Sequence, residues 1–180
     1  MLYNAYQINK TMVLYIRLLS HDVEDFVMEV AVNSESTFME LHGFLQKELG
    51  FDPSNMASFV ITDSEWNRLK EISLMKMNEE DEDVVLMEDT TLGDLLKTKK
   101  QRLLYVFDFF SERAFFMEVF DIREGDLKVP KLLKKEGKAP DQIAIDDNLL
   151  GTEFDDIDDE LGDEFDDIDL IDPDILPDDY

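Results

Sequence analysis

His21 and His42 are the two histidines of the chain, and two imidazoles with a carboxylate would suffice for a transition-metal site. Their settings do not gather one. His21 falls in a polar turn, His42 stands beside Leu41 on an apolar helical stretch, and there is no cysteine. His42 therefore reads as a structural histidine, and no metal or other cofactor is expected. Asp108 and Glu118 lie on successive strand-like segments and form a candidate acid/base pair; the alternative is surface charge balanced by Arg113. Convergence of His42, Asp108, Arg113 and Glu118 on one deep pocket would mark an enzyme. Phosphate chemistry has thinner support. None of the seven glycines sits in a phosphate-cradling loop, and Arg17, Arg68, Arg102 and Arg113 are dispersed where strand cleavage would need them clustered. No catalytic residue is assigned, and a non-catalytic role is favoured.

The elements that must position these residues follow from local pattern. TMVLYIRLL (11–19) and DFVMEVAVN (25–33) are rich in β-branched and aromatic residues and read as an antiparallel hairpin across SHDVE. Phe38, Leu41, Leu45 and Leu49 fall at helical spacing, with Ser36 or Thr37 as cap, Glu40 near the capping-box position and Gly50 as stop. ASFVITD (57–63) and KEISLMK (70–76) read as short strands around Trp66, and NEEDED (78–83) as a charged loop. MEDTTLGDLLKTKK reads as a short helix capped by Thr90 or Thr91. RLLYVFDFF (102–110) and RAFFMEVFDI (113–122) are strands joined by a turn at Ser111 and Glu112. The expected fold is α+β, a mostly antiparallel sheet with a few helices packed on one side, followed by an acidic C-terminal tail.

Charge divides the chain. Its 180 residues carry a formal −27. Residues 141–180 hold 18 Asp/Glu and no Lys/Arg, while residues 1–140 hold 26 Asp/Glu against all 17 Lys/Arg. That places a domain at 1–140 and an acidic tail at 141–180. Two basic stretches stand out within the domain: Lys97, Lys99, Lys100 and Arg102, then Lys128, Lys131, Lys134, Lys135 and Lys138, punctuated by Pro130 and Pro140. The N-terminal stretch lacks the pattern of a signal peptide, and no run approaches the ~20 apolar residues of a membrane span. A soluble, cytoplasmic protein with no membrane contact is expected.

EFDDID occurs at Glu153 and again at Glu164, a period of 11 residues. Phe154, Ile157, Leu161, Phe165 and Ile168 are spaced as one stripe on a helix, because a period near 3.67 residues per turn stays on one face. Ten acidic residues in 153–167 and Gly162 oppose a helix in isolation. Calcium binding of the EF-hand type fails on register, since Gly162 at position six puts Ile157 and Ile168 at the ligand positions one and twelve. Three readings of the tail stand: a solubilising segment, an interaction segment for a basic protein surface, and a cover for the domain's own lysine patch. Direct nucleic-acid binding is disfavoured by a pI near 4.1. Imitation of nucleic acid toward a basic protein is the related possibility.

Residues 10–142 also carry an ordered set of motifs. These are T-F-x-E-L-H at Thr37, Phe38, Glu40, Leu41 and His42, then Phe59, M-E-D-T-T-L at 87–92, and Y-x-F-D at Tyr105 and Asp108. Glu118, Pro130 and G-x-A-P ending at Pro140 complete it. In these the chain resembles the plasmid Ri open-reading-frame-three family, whose relatives include passenger proteins of insertion elements. It departs from the family pattern at Asn55-Met56, Ser111-Glu112 and Pro140-Asp141-Gln142. The resemblance implies a small α+β domain of poorly defined role. It also leaves a second function open, an accessory of mobile-element DNA processing, with an unrecognised enzymatic site as one form of it.

Overall fold

Alternating apolar residues put β1 (Met12–Ser20) and β2 (Val27–Asn33) into an antiparallel hairpin with Ile16 opposite Val30. The computed structural model describes residues 11–76 and 84–143. After the hairpin come α1 (Phe38–Leu49), β3 (Ser58–Thr62), β4 (Arg68–Ser73), β5 (Val85–Leu86), α2 (Leu92–Leu95), β6 (Arg102–Asp108), β7 (Arg113–Glu124) and β8 (Lys131–Glu136). Among the described residues these strands form one sheet in the order β5-β4-β3-β6-β7-β1-β2-β8. Every pair is antiparallel except β4 with β5, so the sheet is mixed. Among the described residues no helix is long and apolar enough to cross a membrane.

The stretch 127–142, whose lysines and prolines give no strand signal, contains β8. Its six residues KLLKKE are all exposed, and it is a strand because β2 offers it an edge to pair with, Val27 opposite Glu136. Three lysines on such an edge discourage further strand addition.

α1 is set by its caps. Thr37 accepts from the Glu40 amide, the Glu40 carboxylate accepts from the Thr37 amide, and Gly50 closes the helix at φ 74°. The Phe51 amide then donates to the Gln46 carbonyl, an αL ending that places Phe51 under the helix. Phe38, Leu41, Leu45 and Leu49 are buried against the sheet. Phe38 meets Phe59 at 5.3 Å between ring centres and Phe51 meets Phe107 at 5.2 Å. One core therefore lies between α1 and the face of the sheet bearing Leu14, Ile16, Phe59, Tyr105, Phe115 and Met117. By strand alternation, Arg17, Leu104, Phe116 and Glu118 point to the opposite face.

Candidate functional site

His42 projects from α1 into the core, where its Nδ1 lies 2.9 Å from the Tyr105 hydroxyl of β6. Both side chains are buried. Burial lowers the imidazole pKa and raises that of the phenol, so both are neutral, and the tautomer of the imidazole decides which of them donates in the bond. Asp108 sits elsewhere, at the end of β6. One of its carboxylate oxygens accepts from the Phe110 and Ser111 amides, shaping the β6–β7 turn, and the other lies 3.7 Å from Arg113. Arg113 also pairs with Asp22 at 2.8 Å and stacks over Phe107 at 5.1 Å. Glu118 belongs to the far face, 3.5 Å from Arg102. His42, Asp108, Arg113 and Glu118 thus occupy three separate places rather than one pocket. Among the described residues no three His, Asp or Glu side chains are grouped to hold a metal ion.

The motif stretches instead converge on each other. The amides of Phe38 and Met39, at the start of α1, donate to the carbonyls of Thr90 and Met87. Leu92 and Gly93 amides return bonds to the Ser36 and Ser34 carbonyls, and Thr37 and Thr91 form an isolated bridge. T-F-x-E-L-H and M-E-D-T-T-L are therefore two sides of one seam that ties α1 to α2, with Phe38, Met87 and Leu92 fully buried beneath it. Each helix opens on a threonine whose amide donates to the carboxylate three residues on, Thr37 to Glu40 and Thr91 to Asp94, and the Thr91 hydroxyl donates to Asp94 as well. Those hydrogen bonds and nearby Lys97 lower the Asp94 pKa. G-x-A-P closes the domain. Pro140 is buried, and the Gln142 amide side chain accepts from the Asp52 N–H and donates to its carbonyl. These motifs describe how the fold is built.

On the far face the chemistry differs. Arg102 and Arg17 are both opposite Glu118, Arg17 is opposite Glu29, and Glu29 is opposite Lys134. Five strands thus carry a row of alternating charge, closed by ion pairs at 3.5 Å (Arg102–Glu118) and 2.8 Å (Arg17–Glu29). Arginines stack on aromatics beside it. Arg102 covers Trp66 at 4.9 Å, Arg17 covers Phe120 at 5.0 Å and Arg123 covers Tyr15 at 4.9 Å. Asp121 receives both Lys99 (2.5 Å) and Arg123 (2.6 Å), and these hydrogen bonds, Lys99 foremost, bring its pKa down to about 2. Between the Trp66 loop and the β6–β7 turn runs a groove of about 360 Å³, lined by Trp66, Leu104, Val106, Phe109, Ala114 and Phe116, with Arg68 and Glu112 beside them. Trp66 stands edge-on to Phe116 with ring centres 4.7 Å apart. The sequence pattern does not reveal this groove, because its walls come from two hairpins, β3–β4 and β6–β7, that only the β3–β6 pairing brings together. The available signal was a lone Trp between two short strands.

The two basic stretches do not form one patch within the sheet. Lys97, Lys99, Lys100 and Arg102 lead into β6, whereas Lys131, Lys134 and Lys135 lie on β8, four strand spacings or about 19 Å away. Lys128 pairs with Asp126 at 2.5 Å, Lys134 with Glu136 at 3.0 Å and Lys138 with Asp141 at 3.4 Å. Lys135 donates to the Glu48 carbonyl at the end of α1. The stripe Phe154, Ile157, Leu161, Phe165 and Ile168 lies outside the described residues.

One broad sheet with a capped helix across a single face defines an α+β domain whose signature residues build its seams. The chain belongs to the family of plasmid pRiA4b ORF-3-like proteins, which matches residues 11–144. Its structure is similar to the crystal structure of MM3350, a protein of unknown function from Methanosarcina mazei Go1. The TM-score is 0.58 over 72% of each chain at 18% identity, a likeness of fold. No curated protein matches.

Proposed function

We propose that the protein is a non-catalytic interaction module whose acidic C-terminal segment engages a basic partner protein. The observation that carries this reading is the asymmetry of charge: 18 carboxylates without a single Lys or Arg across residues 141–180, interrupted by Phe and Ile at helical steps. A segment that only confers solubility does not need Phe154, Ile157, Leu161, Phe165 and Ile168 in register. Carboxylates supply long-range attraction and orientation toward a basic surface, and the apolar stripe supplies burial once contact is made. The body is consistent with this role. His42, Asp108 and Arg113 are engaged in core and turn contacts, and Glu118 in the charge row. Lys99, Lys128, Lys134 and Lys138 already have carboxylate neighbours, which favours an outside partner over the domain's own lysines. A pI near 4.1 argues against nucleic acid as the direct ligand.

The test uses a fluorescent amphipathic Lys/Leu peptide as a stand-in for the basic partner, titrated with full-length protein at physiological salt. Replacing the Asp and Glu residues of 153–169 by Asn and Gln should abolish binding. Replacing the five stripe residues by Ser should weaken it at least about tenfold, as expected if two or more apolar side chains are buried. Binding indifferent to the stripe would reduce the segment to a polyanion and overturn the proposal.

A further inference from the structure

We infer that the groove between the Trp66 loop and the β6–β7 turn is a self-association site, in which Phe110 from a second copy of the chain is seated. The inference goes beyond the reading of the acidic segment and does not depend on it. Phe110 stands at the tip of the turn with 99% of its surface exposed, and its neighbour Phe109, 45% exposed, forms part of the groove wall. A fully exposed Phe beside an apolar groove is an exposed patch of the kind that marks contact surfaces. The groove's volume of about 360 Å³ and its apolar wall of Trp66, Leu104, Val106, Ala114 and Phe116 suit an aromatic side chain.

The choice of occupant rests on self-complementarity. A two-fold dimer needs one surface that carries both a projection and its receptor, and here the two are adjacent. Charge repeats the pattern. Arg68 opens β4 at the Arg102 end of β6, whereas Glu112 lies in the turn at the Asp108 end, so they mark opposite ends of the groove. Among the described residues neither is in an ion pair. When the tip of one copy enters the groove of the other in antiparallel fashion, Glu112 of each approaches Arg68 of the other. The site is also held in a strained form. Trp66 and Glu112 have left-handed backbones at φ 68° and 52°, a conformation that bulky residues keep only where the surroundings fix it. The Asp63 carboxylate fixes the Trp66 loop by accepting from the Glu65 and Asn67 amides.

Sedimentation equilibrium of the full chain at about 100 μM should show a mass rising from 21.0 kDa toward twice that value. Association should strengthen between 0.05 and 0.5 M salt, because added ions relieve the repulsion of two copies at −27 each by more than they weaken the two exposed Glu112–Arg68 pairs, and leave the apolar contact intact. F110S, a change at a fully exposed position, should weaken association at least about tenfold. A114F, which fills the groove, should do the same. E112R and R68E should each weaken it, and the double variant E112R/R68E should restore it. A monomer throughout this range of salt would overturn the inference. So would a dimer that F110S leaves unchanged, or a double charge swap that fails to rescue.

Discussion

Changing Tyr105 to Phe removes one oxygen from the centre of the domain and little else. The ring keeps its contacts with Phe59 at 4.9 Å and with the imidazole of His42 at 5.8 Å, so no cavity opens. What is lost is the 2.9 Å bond to Nδ1, and the imidazole is left buried without that partner. An unpaired buried polar group costs about 1–3 kcal/mol, which in a domain of this size is a fall in Tm of roughly 3–10 °C. Changing His42 to Leu strands the phenol instead and should cost a similar amount. With both partners apolar, no polar group is stranded, so Y105F/H42L should be more stable than the sum of the single effects implies, by about 1–2 kcal/mol. The assay is urea unfolding of the four proteins followed by the fluorescence of Trp66. Additive losses, or a Y105F protein within about 0.3 kcal/mol of the parent, would refute the pair as a structural element, that margin being within the scatter seen for independent sites.

The same pair predicts a pH dependence. Burial lowers the folded His42 pKa below its unfolded value near 6.5, so the unfolded chain binds the extra proton first. Its contribution is fully present above pH 6.5 and is lost as pH falls from there through the folded pKa; between pH 7 and 5 the parent should lose more stability than H42L. Gly137 has φ 75°, and a Cβ there would lie 2.5 Å from the Asp25 carbonyl oxygen. G137A should therefore destabilise by more than about 2 kcal/mol, the strain of a left-handed residue plus displacement of the end of β8, visible as a lowered urea midpoint. T37A removes the hydroxyl that accepts from the Glu40 amide and should cost about 1 kcal/mol, with T37S recovering most of it in the same unfolding assay.

Most of what was legible in the sequence is local. Thr37, Glu40, Gly50 and four leucines and phenylalanines at helical spacing specify α1 within 14 residues, and the structure places its ends there. The hairpin of β1 and β2 and the long strands β6 and β7 likewise declare themselves by composition. β8 does not, since all its residues are exposed and its pairing with β2 supplies the only reason for extension. β5 is two residues long and gains its parallel pairing with β4 from tertiary context. The site was harder to see for the same reason. His42 and Tyr105 are 63 residues apart, and Trp66 meets Phe116 only because β3, β6 and β7 are neighbours. Conversely, the motifs that drew attention first, T-F-x-E-L-H and M-E-D-T-T-L, form a backbone seam, so their regularity reflects folding.

The proposal that the acidic segment carries the interaction is tested most directly by titrating the Lys/Leu peptide with the full chain and with a chain ending at Ala144. The shorter chain keeps Pro140 and the Gln142 clamp on Asp52, so the body should stay intact, which its urea midpoint would verify. Loss of binding by at least about tenfold with an unchanged midpoint is the expected result. Full binding by the shorter chain would place the contact on the body and contradict the proposed function.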